Sequence, residues 1–476
     1  MQVRASFWFL ICSFLQKSIS TITTPIFTRL LTTAEYGQFN VFNSWLSIIT
    51  VFVTLRLYYG FYGQGLIKYE ERRDQLSSSM QGLVLTLILA WTAIYLLFRD
   101  FWNRCFSLTT VQMLAMLLMI WATAAFDFWA AEQRVKLNYK RLVGITLFIS
   151  AAKPLVGILF VTHAEDKVTA RILGLALVEL LGYTALFVSQ MKRGRRFFDA
   201  QFWKYALLFN LPLIPHYLSQ TALNSADRIM ISSMVSEDAA GIYSLAYSVS
   251  MIMMLFNTAL SQTITPWMYQ KIKDKREEDT AKTVYGTLIL IAVVNVILIA
   301  FAPEAVSIFA PKSYHDAIWV IPPVAMSVYF IFTYDIFAKY EFYYEKTRFI
   351  MVASVAAAAL NVILNYVFIG MFGYYAAGYT TLFCYVVYAI GHYSFMRKIC
   401  NEHVGKKKIY DVKALLTITL SFVGIGFLFL ITYQYLIARY CLIVILLAVI
   451  VIKRNALVST VKQLVESKKG SKSKSV

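Results

Sequence analysis

The sequence predicts an all-α polytopic membrane protein of about fourteen transmembrane helices, each near the ~20 residues that span a bilayer. Three observations predict this fold class. Of the 476 residues, 59% are hydrophobic and only 15% are charged, which is too little polar surface for a soluble protein. Apolar stretches recur along the whole chain, and the short segments between them hold nearly all the charge. The chain therefore needs lipid around it.

The apolar stretches define the predicted spans. The first stretch follows Arg4 and lacks a small-residue cleavage site, so we expect it to be retained as a helix rather than removed as a signal peptide. The predicted spans cover residues 6–30, 38–60, 79–98, 110–131, 142–162, 169–191, 203–228, 240–268, 284–309, 316–338, 349–371, 374–396, 412–433 and 436–453.

The Lys and Arg residues predict the orientation in the membrane. Roughly four times as many of them lie in the N-terminus, the even-numbered loops and the tail as in the odd-numbered loops. Both termini are therefore expected to be cytoplasmic, as an even number of spans also requires. The basic residues behind the formal charge of +19 then set the orientation of the chain in the membrane and contact anionic lipid head groups. No nucleic-acid partner is expected.

An internal repeat relates the two halves of the chain. The offset between Gly37 and Gly241 recurs in three further pairs, which are Arg72 with Arg276, Gly174 with Gly378, and Arg193 with Arg397. Each half holds six spans, and because six is even, the halves run in the same direction through the membrane. We predict two parallel six-helix bundles around a central cavity.

This repeat divides the chain into four parts. Residues 1–200 form the N-terminal six-helix bundle, residues 201–400 form the C-terminal six-helix bundle, and residues 401–455 add two further transmembrane helices. Residues 456–476 form a basic cytoplasmic tail that begins with a short amphipathic stretch. We expect this tail to lie on the anionic membrane surface.

Residue types that carry covalent or metal chemistry are scattered along the sequence. The five cysteines and five histidines show neither a disulfide spacing nor a metal-ligand cluster. The sequence also lacks a phosphate-binding loop, a nucleophile elbow and a pair of carboxylates in a long loop. We predict no catalytic residue, no metal site and no cofactor, and a transporter is favoured over an enzyme.

Several segments resemble one known family. The most specific stretch runs from Tyr205 through Pro212 and Pro215 to Asp227-Arg228 and Gly241-Ile242-Tyr243. Shorter matches occur at Thr28-Arg29, Glu35-Tyr36-Gly37, Tyr314, Ala317, Asn361, Asn365 and Gly373. Over roughly residues 6–400, the chain resembles the polysaccharide exporters, in particular the Wzx-type O-antigen flippases, which belong to the same superfamily as the multidrug-and-toxin extruders (MATE).

The sequence departs from the family pattern at two places. Ala310-Pro311 stands where a glycine is commoner, and the twelfth span reads Ala376-Ala377-Gly378 where the family has Gly-Ala-Ala. Both departures keep small residues, which allow close contact between helices. They put little in doubt about the fold.

The resemblance implies a MATE-like arrangement of the two bundles and a lipid-linked substrate. That substrate is an oligosaccharide on polyprenyl pyrophosphate, such as an O-antigen or another surface-polysaccharide repeat unit. It would move from the cytoplasmic to the outer leaflet of the bacterial inner membrane without covalent change. The implied partners are a coupling proton or sodium ion, a polysaccharide polymerase and chain-length proteins.

Three cations within predicted spans are the candidate substrate-binding residues: Lys17, Arg56 and Lys153. An ionised group at the bilayer centre costs from roughly 3 to more than 10 kcal/mol, so it pairs with another charge or faces a wet cavity. A pyrophosphate is the kind of anion that a basic pocket binds. The alternative is that these lysines pair with Asp127 or Glu179 and only hold the bundle together.

Further candidates concern gating and ion coupling. Arg29 and Arg228 lie at the outer ends of the first and seventh spans, where they gate the outer mouth or, as the favoured alternative, cap their helices. The acidic residues within spans are Asp127, Glu179 and Asp335. Each either binds a coupling ion or forms a salt bridge, and the salt bridge is favoured.

Two prolines are candidate hinges. Pro212 and Pro215 interrupt the seventh span, and a proline inside a helix frees backbone carbonyls and permits bending. Pro154 follows Lys153 and is expected to kink the fifth span so that this lysine points into the cavity.

Two other functions are considered. An ion-coupled exporter of small organic cations would have the same fold, but its site would favour buried carboxylates over buried lysines. A membrane-embedded polysaccharide polymerase or ligase would need a long outer loop to hold an acceptor, whereas the odd-numbered loops here are short.

Overall fold

The structure is a computed structural model, and it describes residues 2–405, 409–455 and 458–459. Within these ranges all regular structure is helical and no strand occurs. The α-helices, numbered in chain order, are α1 Gln2–Leu30, α2 Thr33–Thr54, α3 Phe61–Lys68, α4 Arg73–Leu97, α5 Arg99–Phe106, α6 Thr110–Val135, α7 Tyr139–Thr162, α8 Lys167–Gly194, α9 Ala200–Asn210, α10 Ile214–Met234, α11 Glu237–Ser250, α12 Met253–Lys273, α13 Thr280–Ala300, α14 Ala302–Phe309, α15 Ile321–Tyr343, α16 Thr347–Phe372, α17 Tyr375–His403, α18 Val412–Thr432 and α19 Leu436–Ile452.

The helices agree with the predicted fold class. One helix, or two consecutive helices, lies at each predicted span. In the part of the chain that the structure describes, nine helical segments of 21 to 37 residues are long and apolar enough to cross a membrane. The all-α polytopic fold is confirmed, and the number of about fourteen spans stays a prediction. Apart from residues 458–459, the predicted basic tail at 456–476 lies outside the described residues.

The first compact unit comprises Met1–Gly241. Its main core lies where α2, α3, α4, α6, α8 and α9 meet. Large apolar side chains from five of these helices are fully buried there: Phe42, Tyr62, Met80, Phe128 and Phe202. Burying each such side chain stabilises the unit by about 1.5–3 kcal/mol, so shape-matched apolar faces hold these helices together.

A buried polar network joins α4, α6 and α8 at one end of this unit. The carboxylate of Glu132, which is 1% exposed, accepts from Nη2 of Arg193 at 2.8 Å and from Nε2 of Gln190 at 2.7 Å. Lys136 lies 2.5 Å from the same carboxylate, and Gln81 donates to Gln190 at 2.7 Å. The buried charge is therefore paired and hydrogen-bonded, as a carboxylate away from water must be.

Close packing of α2 on α11 depends on two glycines. A Cβ atom added to Gly37 would lie 2.0 Å from the carbonyl oxygen of Glu237. One added to Gly241 would lie 2.0 Å from the carbonyl oxygen of Thr33. The first pair of residues in the predicted repeat thus forms a contact between backbones that only glycine permits. At the same place, the hydroxyl of Thr33 donates to the carboxylate of Asp238.

The second compact unit comprises Ile242–Val476. Its central helix is α15, which packs against α12, α13, α17 and α18. Three large side chains on this helix are at most 1% exposed: Tyr329, Phe332 and Tyr340. The core of this unit therefore forms around α15.

Helices α18 and α19 pack against the earlier helices of the second unit. Helix α18 packs against α13 and α15, and α19 packs against α18. Nη2 of Arg439 lies 2.5 Å from Oε1 of Glu304, and the hydroxyl of Tyr433 donates to the carbonyl of Ile299 at 2.5 Å. Polar contacts therefore fasten these helices to α13 and α14.

The compact units divide after Gly241, whereas the predicted bundles divide at residue 200. Helices α9 and α10 belong to the first unit because α10 packs along α2 and α9 packs on α3 and α4. The six-helix repeat itself stays a prediction.

We predict that Gly37→Ala and Gly241→Ala each lower the melting temperature of the purified protein. The new methyl group would clash with a backbone oxygen, and overpacking of this kind costs about 1–3 kcal/mol. Gly144→Ala is the matched control, because a Cβ at Gly144 would have no atom within 4 Å beyond its own stretch of helix. A melting temperature that is unchanged in both test variants would contradict the close contact.

Candidate functional site

The first candidate residue lies in a turn that the sequence did not predict. Helix α2 ends at Thr54, and Leu55 and Arg56 follow with φ of 48° each, in the left-handed region. The turn continues to Gly60, with φ of 59°, and leads into α3. A non-glycine residue in this conformation costs about 1–3 kcal/mol, so neighbouring contacts must hold Leu55 and Arg56 in place.

The guanidinium group of Arg56 is half-buried between this turn and α10. Its Nη2 donates to Oγ1 of Thr221 at 3.4 Å, and its Cζ lies 5.5 Å from the ring centre of Tyr59 and 5.9 Å from that of Tyr217. Its Nε is buried and has no hydrogen-bond partner among the described residues. Arg56 therefore keeps an unused donor next to a cation–π contact.

Lys153 forms an ion pair within the first unit. Its Nζ lies 2.5 Å from Oε1 of Glu179, whose side chain is 5% exposed, and Thr123 donates to Oε2 of the same carboxylate at 3.2 Å. This is the salt-bridge alternative that the sequence left open for Lys153. A binding role for Lys153 stays a prediction.

Four candidate charges share one cluster in the first unit. Asp127, on α6, interacts electrostatically first with Arg134, which was not a candidate, and then with Arg56, Glu179 and Lys153. The structure therefore brings together two of the three candidate cations and two of the three candidate carboxylates. Lys17, on α1, is exposed and has no ion-pair partner among the described residues.

The two candidate gate residues make the same local contact. Nη1 of Arg29 donates to the carbonyl of Pro25 at 2.8 Å, and Nη1 of Arg228 donates to the carbonyl of Asn224 at 2.9 Å. Each arginine thus bonds the carbonyl four residues earlier in its own helix. Arg29 lies in the last turn of α1, where a cation stabilises the helix end, whereas α10 continues for six residues beyond Arg228. Gating stays a prediction.

The remaining candidates are Asp335 and the two hinge prolines. Oδ2 of Asp335 lies 2.6 Å from Nζ of Lys339 and accepts from Ser261 at 2.7 Å. Pro212 and Pro215 lie where a 3₁₀ turn, Leu211–Leu213, separates α9 from α10, so the seventh span is broken there. Pro154, in contrast, lies inside the continuous α7.

Sequence reasoning missed the residues that surround these candidates. Lys339 was missed because the tenth span was predicted to end at residue 338, although its spacing of four from Asp335 is a signal for an ion pair on a helix. Thr221 and Tyr217 carry no signal in the sequence, because only the packing of α10 brings them to Arg56.

Comparisons with known proteins bear on the family and the fold. A family model described as polysaccharide biosynthesis protein matches residues 3–272, which is more than half of the chain, and the MatE model matches residues 212–367. A relative named for the Lsg locus of Haemophilus influenzae is 24% identical over 375 residues, covering 73% of this chain and 86% of the relative.

Two solved structures share the fold. Lipid II flippase MurJ, in an inward closed conformation, is similar with a TM-score of 0.68 at 14% identity, over 94% of this chain and 98% of MurJ. An inward-facing multidrug resistance MATE family transporter of the MOP superfamily gives a TM-score of 0.61 at 14% identity, over 80% of this chain and 94% of the transporter. The predicted MATE-like membrane fold is confirmed, and this multi-pass membrane protein belongs to the polysaccharide biosynthesis protein family.

Proposed function

We propose that the protein is a flippase for an oligosaccharide linked to polyprenyl pyrophosphate, such as an O-antigen or another surface-polysaccharide repeat unit. It would carry this substrate from the cytoplasmic to the outer leaflet of the bacterial inner membrane, with both termini in the cytoplasm. Membership of the polysaccharide biosynthesis family supports the sugar part of the substrate. The similarity to MurJ, which is named as a lipid II flippase, supports the lipid part.

The environment of Arg56 carries the proposal. This cation has a buried Nε with no partner among the described residues, and its Nη2 donates to the neutral hydroxyl of Thr221. A guanidinium group donates bidentate hydrogen bonds to phosphate, and such charge-assisted bonds are about twice as strong as neutral ones. An incoming pyrophosphate would supply the acceptors that Arg56 lacks.

Lys153 would be a second contact for the pyrophosphate, and Glu179 would control whether this contact forms. Its ammonium group is held by Glu179, so a pyrophosphate must compete with that carboxylate for the lysine. The same competition would release the substrate when the carboxylate regains its partner. We propose that Glu179 and Asp127 weaken anion binding in this way, with or without a coupling cation.

Lys17 would contact the substrate before the inner cluster does. It lies in the middle of α1, is exposed, and has no ion pair in the described part of the chain. A lysine in hydrocarbon costs roughly 3 kcal/mol or more, so we propose that Lys17 faces a wet passage. The polyprenyl tail, which is as apolar as the membrane, would stay in lipid.

We predict that Arg56→Met lowers translocation of the lipid-linked oligosaccharide about 10- to 100-fold, because a hydrogen bond to a charged group contributes about 1.5–3 kcal/mol. Arg56→Lys should fall between this variant and the wild type, since lysine keeps the charge but lacks the planar fork. The assay follows a fluorescent lipid-linked oligosaccharide in vesicles that contain only the purified protein. Arg99→Met is the control, because Arg99 is exposed on α5 and pairs with Asp100.

The Lys153–Glu179 pair gives a prediction that separates binding from packing. Lys153→Met leaves the Glu179 carboxylate without its cation and should destabilise the protein by up to about 3 kcal/mol. The double variant Lys153→Met/Glu179→Gln removes both charges and should recover most of that stability. If the lysine binds pyrophosphate, the double variant melts like the wild type but translocates poorly. Full translocation by a stable double variant would leave the pair with a structural role only.

The decisive measurement uses the same vesicles with several substrates. We expect a polyprenyl-pyrophosphate oligosaccharide to cross and small organic cations to be excluded. Transport of small cations without any lipid-linked sugar would instead support the cation exporter. Elongation of the sugar chain by the purified protein would support the polymerase or ligase.

A further inference from the structure

A buried acid–base pair lies in the second unit, outside every candidate site described above. Glu341 is on α15 and His392 is on α17, and each is 0% exposed. Nδ1 of His392 lies 2.8 Å from Oε1 and 3.0 Å from Oε2 of Glu341. Both groups exchange protons in water, and here they share a site that water does not reach in this conformation.

Aromatic rings surround the imidazole. Its ring centre lies 4.4 Å from that of Tyr388, 5.4 Å from that of Tyr334 and 5.6 Å from that of Phe349. These residues come from α17, α15 and α16. In the described part of the chain, the titratable groups that contact the ring are Glu341, Tyr334 and Tyr388. Aromatic faces favour a cation, and the ring of Tyr334 is tilted only 31° from the imidazole plane.

The second ring nitrogen is unpartnered. Nε2 of His392 is buried and has no hydrogen-bond partner among the described residues. With two protons, the pair is an imidazolium and a carboxylate, and the Nε2–H donor is unsatisfied. With one proton, Nε2 needs no acceptor, but the site holds an uncompensated negative charge. Each protonation state thus has its own free-energy cost, so neither state is held permanently at this site.

We propose that the Glu341–His392 pair is a proton-binding site through which a proton gradient drives the transporter. The inference rests on the proposed flippase function; of the two coupling ions considered above it selects the proton, and it adds the site that binds it. The proton binds as Nδ1–H or Nε2–H of the imidazole against the Glu341 carboxylate, and it leaves when α15 and α17 admit water. Histidine is suited to this exchange because it changes charge near neutral pH.

The same helix carries a second ion pair that differs in kind. Asp335 pairs with Lys339, and its side chain is 36% exposed. The Asp335–Lys339 pair is therefore partly open to solvent, whereas both members of the Glu341–His392 pair are fully buried.

The test measures how a fluorescent lipid-linked oligosaccharide distributes between the two leaflets of vesicles that hold the purified protein. Uncoupled flipping ends with equal amounts in the leaflets. A gradient of two pH units, with one proton per substrate, can shift the ratio up to ~100-fold. We expect the wild type to accumulate substrate in one leaflet, and His392→Gln and Glu341→Gln to flip it to equal amounts. If the Glu341–His392 pair had only a structural role, the two variants would lose accumulation and flipping together.

His403→Gln is the matched control, because His403 is on the same helix but is exposed, where it packs against Tyr344. It should accumulate substrate as the wild type does. If His392→Gln fails to fold, Glu341→Gln and Glu341→Asp still test whether the pair binds the coupling proton. The aspartate keeps a carboxylate and should shift the pH at which accumulation is half-maximal, whereas the glutamine should abolish accumulation.

Three results would overturn the inference. If the wild type under a pH gradient ends with equal amounts of the oligosaccharide lipid in the two leaflets, protons do not drive the flippase. Wild-type accumulation in His392→Gln or Glu341→Gln would place the coupling elsewhere. No movement of the oligosaccharide lipid by the wild type would overturn the proposed function itself, which distinguishes this failure from the other two.

Discussion

A charged side chain inside an apolar helix bundle must have an opposite charge or water beside it, because an unpaired buried charge costs several kcal/mol. The described structure meets this condition at Glu132 with Arg193 and Lys136, and at Lys153 with Glu179. Each pair either joins two helices or links successive turns of one helix. Arg56 departs from this arrangement, because its buried Nε has no partner among the described residues, and it is therefore a candidate for function.

The same constraint explains why the two units differ in their chemistry. In the first unit, Arg56 and Lys153 lie with Asp127 and Glu179 in one cluster, which suits competition between an anion and carboxylates. In the second unit, Glu341 meets a histidine, whose charge depends on pH. This difference is why we propose that the first unit binds an anion and the second unit binds a proton.

Much of the fold follows from the sequence. The length and spacing of the apolar stretches predict the helices, and the motif around Pro212 and Pro215 predicts the family. The recurring offset singled out Gly37 and Gly241, which the structure places in direct contact. The salt bridge of Lys153 with Glu179 was one of two alternatives that the sequence left open. Other pairings were not predictable, because they depend on how each helix is rotated about its axis: Glu341 with His392 is an example.

The contact of Arg439 with Glu304 has a consequence for how the chain is made. The two residues are 135 positions apart, so Glu304 leaves the ribosome long before its cation is synthesised. Arg439 is 3% exposed in the folded protein, and it enters α19 among apolar residues. Until α19 has been made, the carboxylate of Glu304 lacks this partner and must be solvated by water. Among the described helices, α19 thus completes the docking of α14, which preceded it by five helices, so this contact of the second unit forms only after most of its chain has been synthesised.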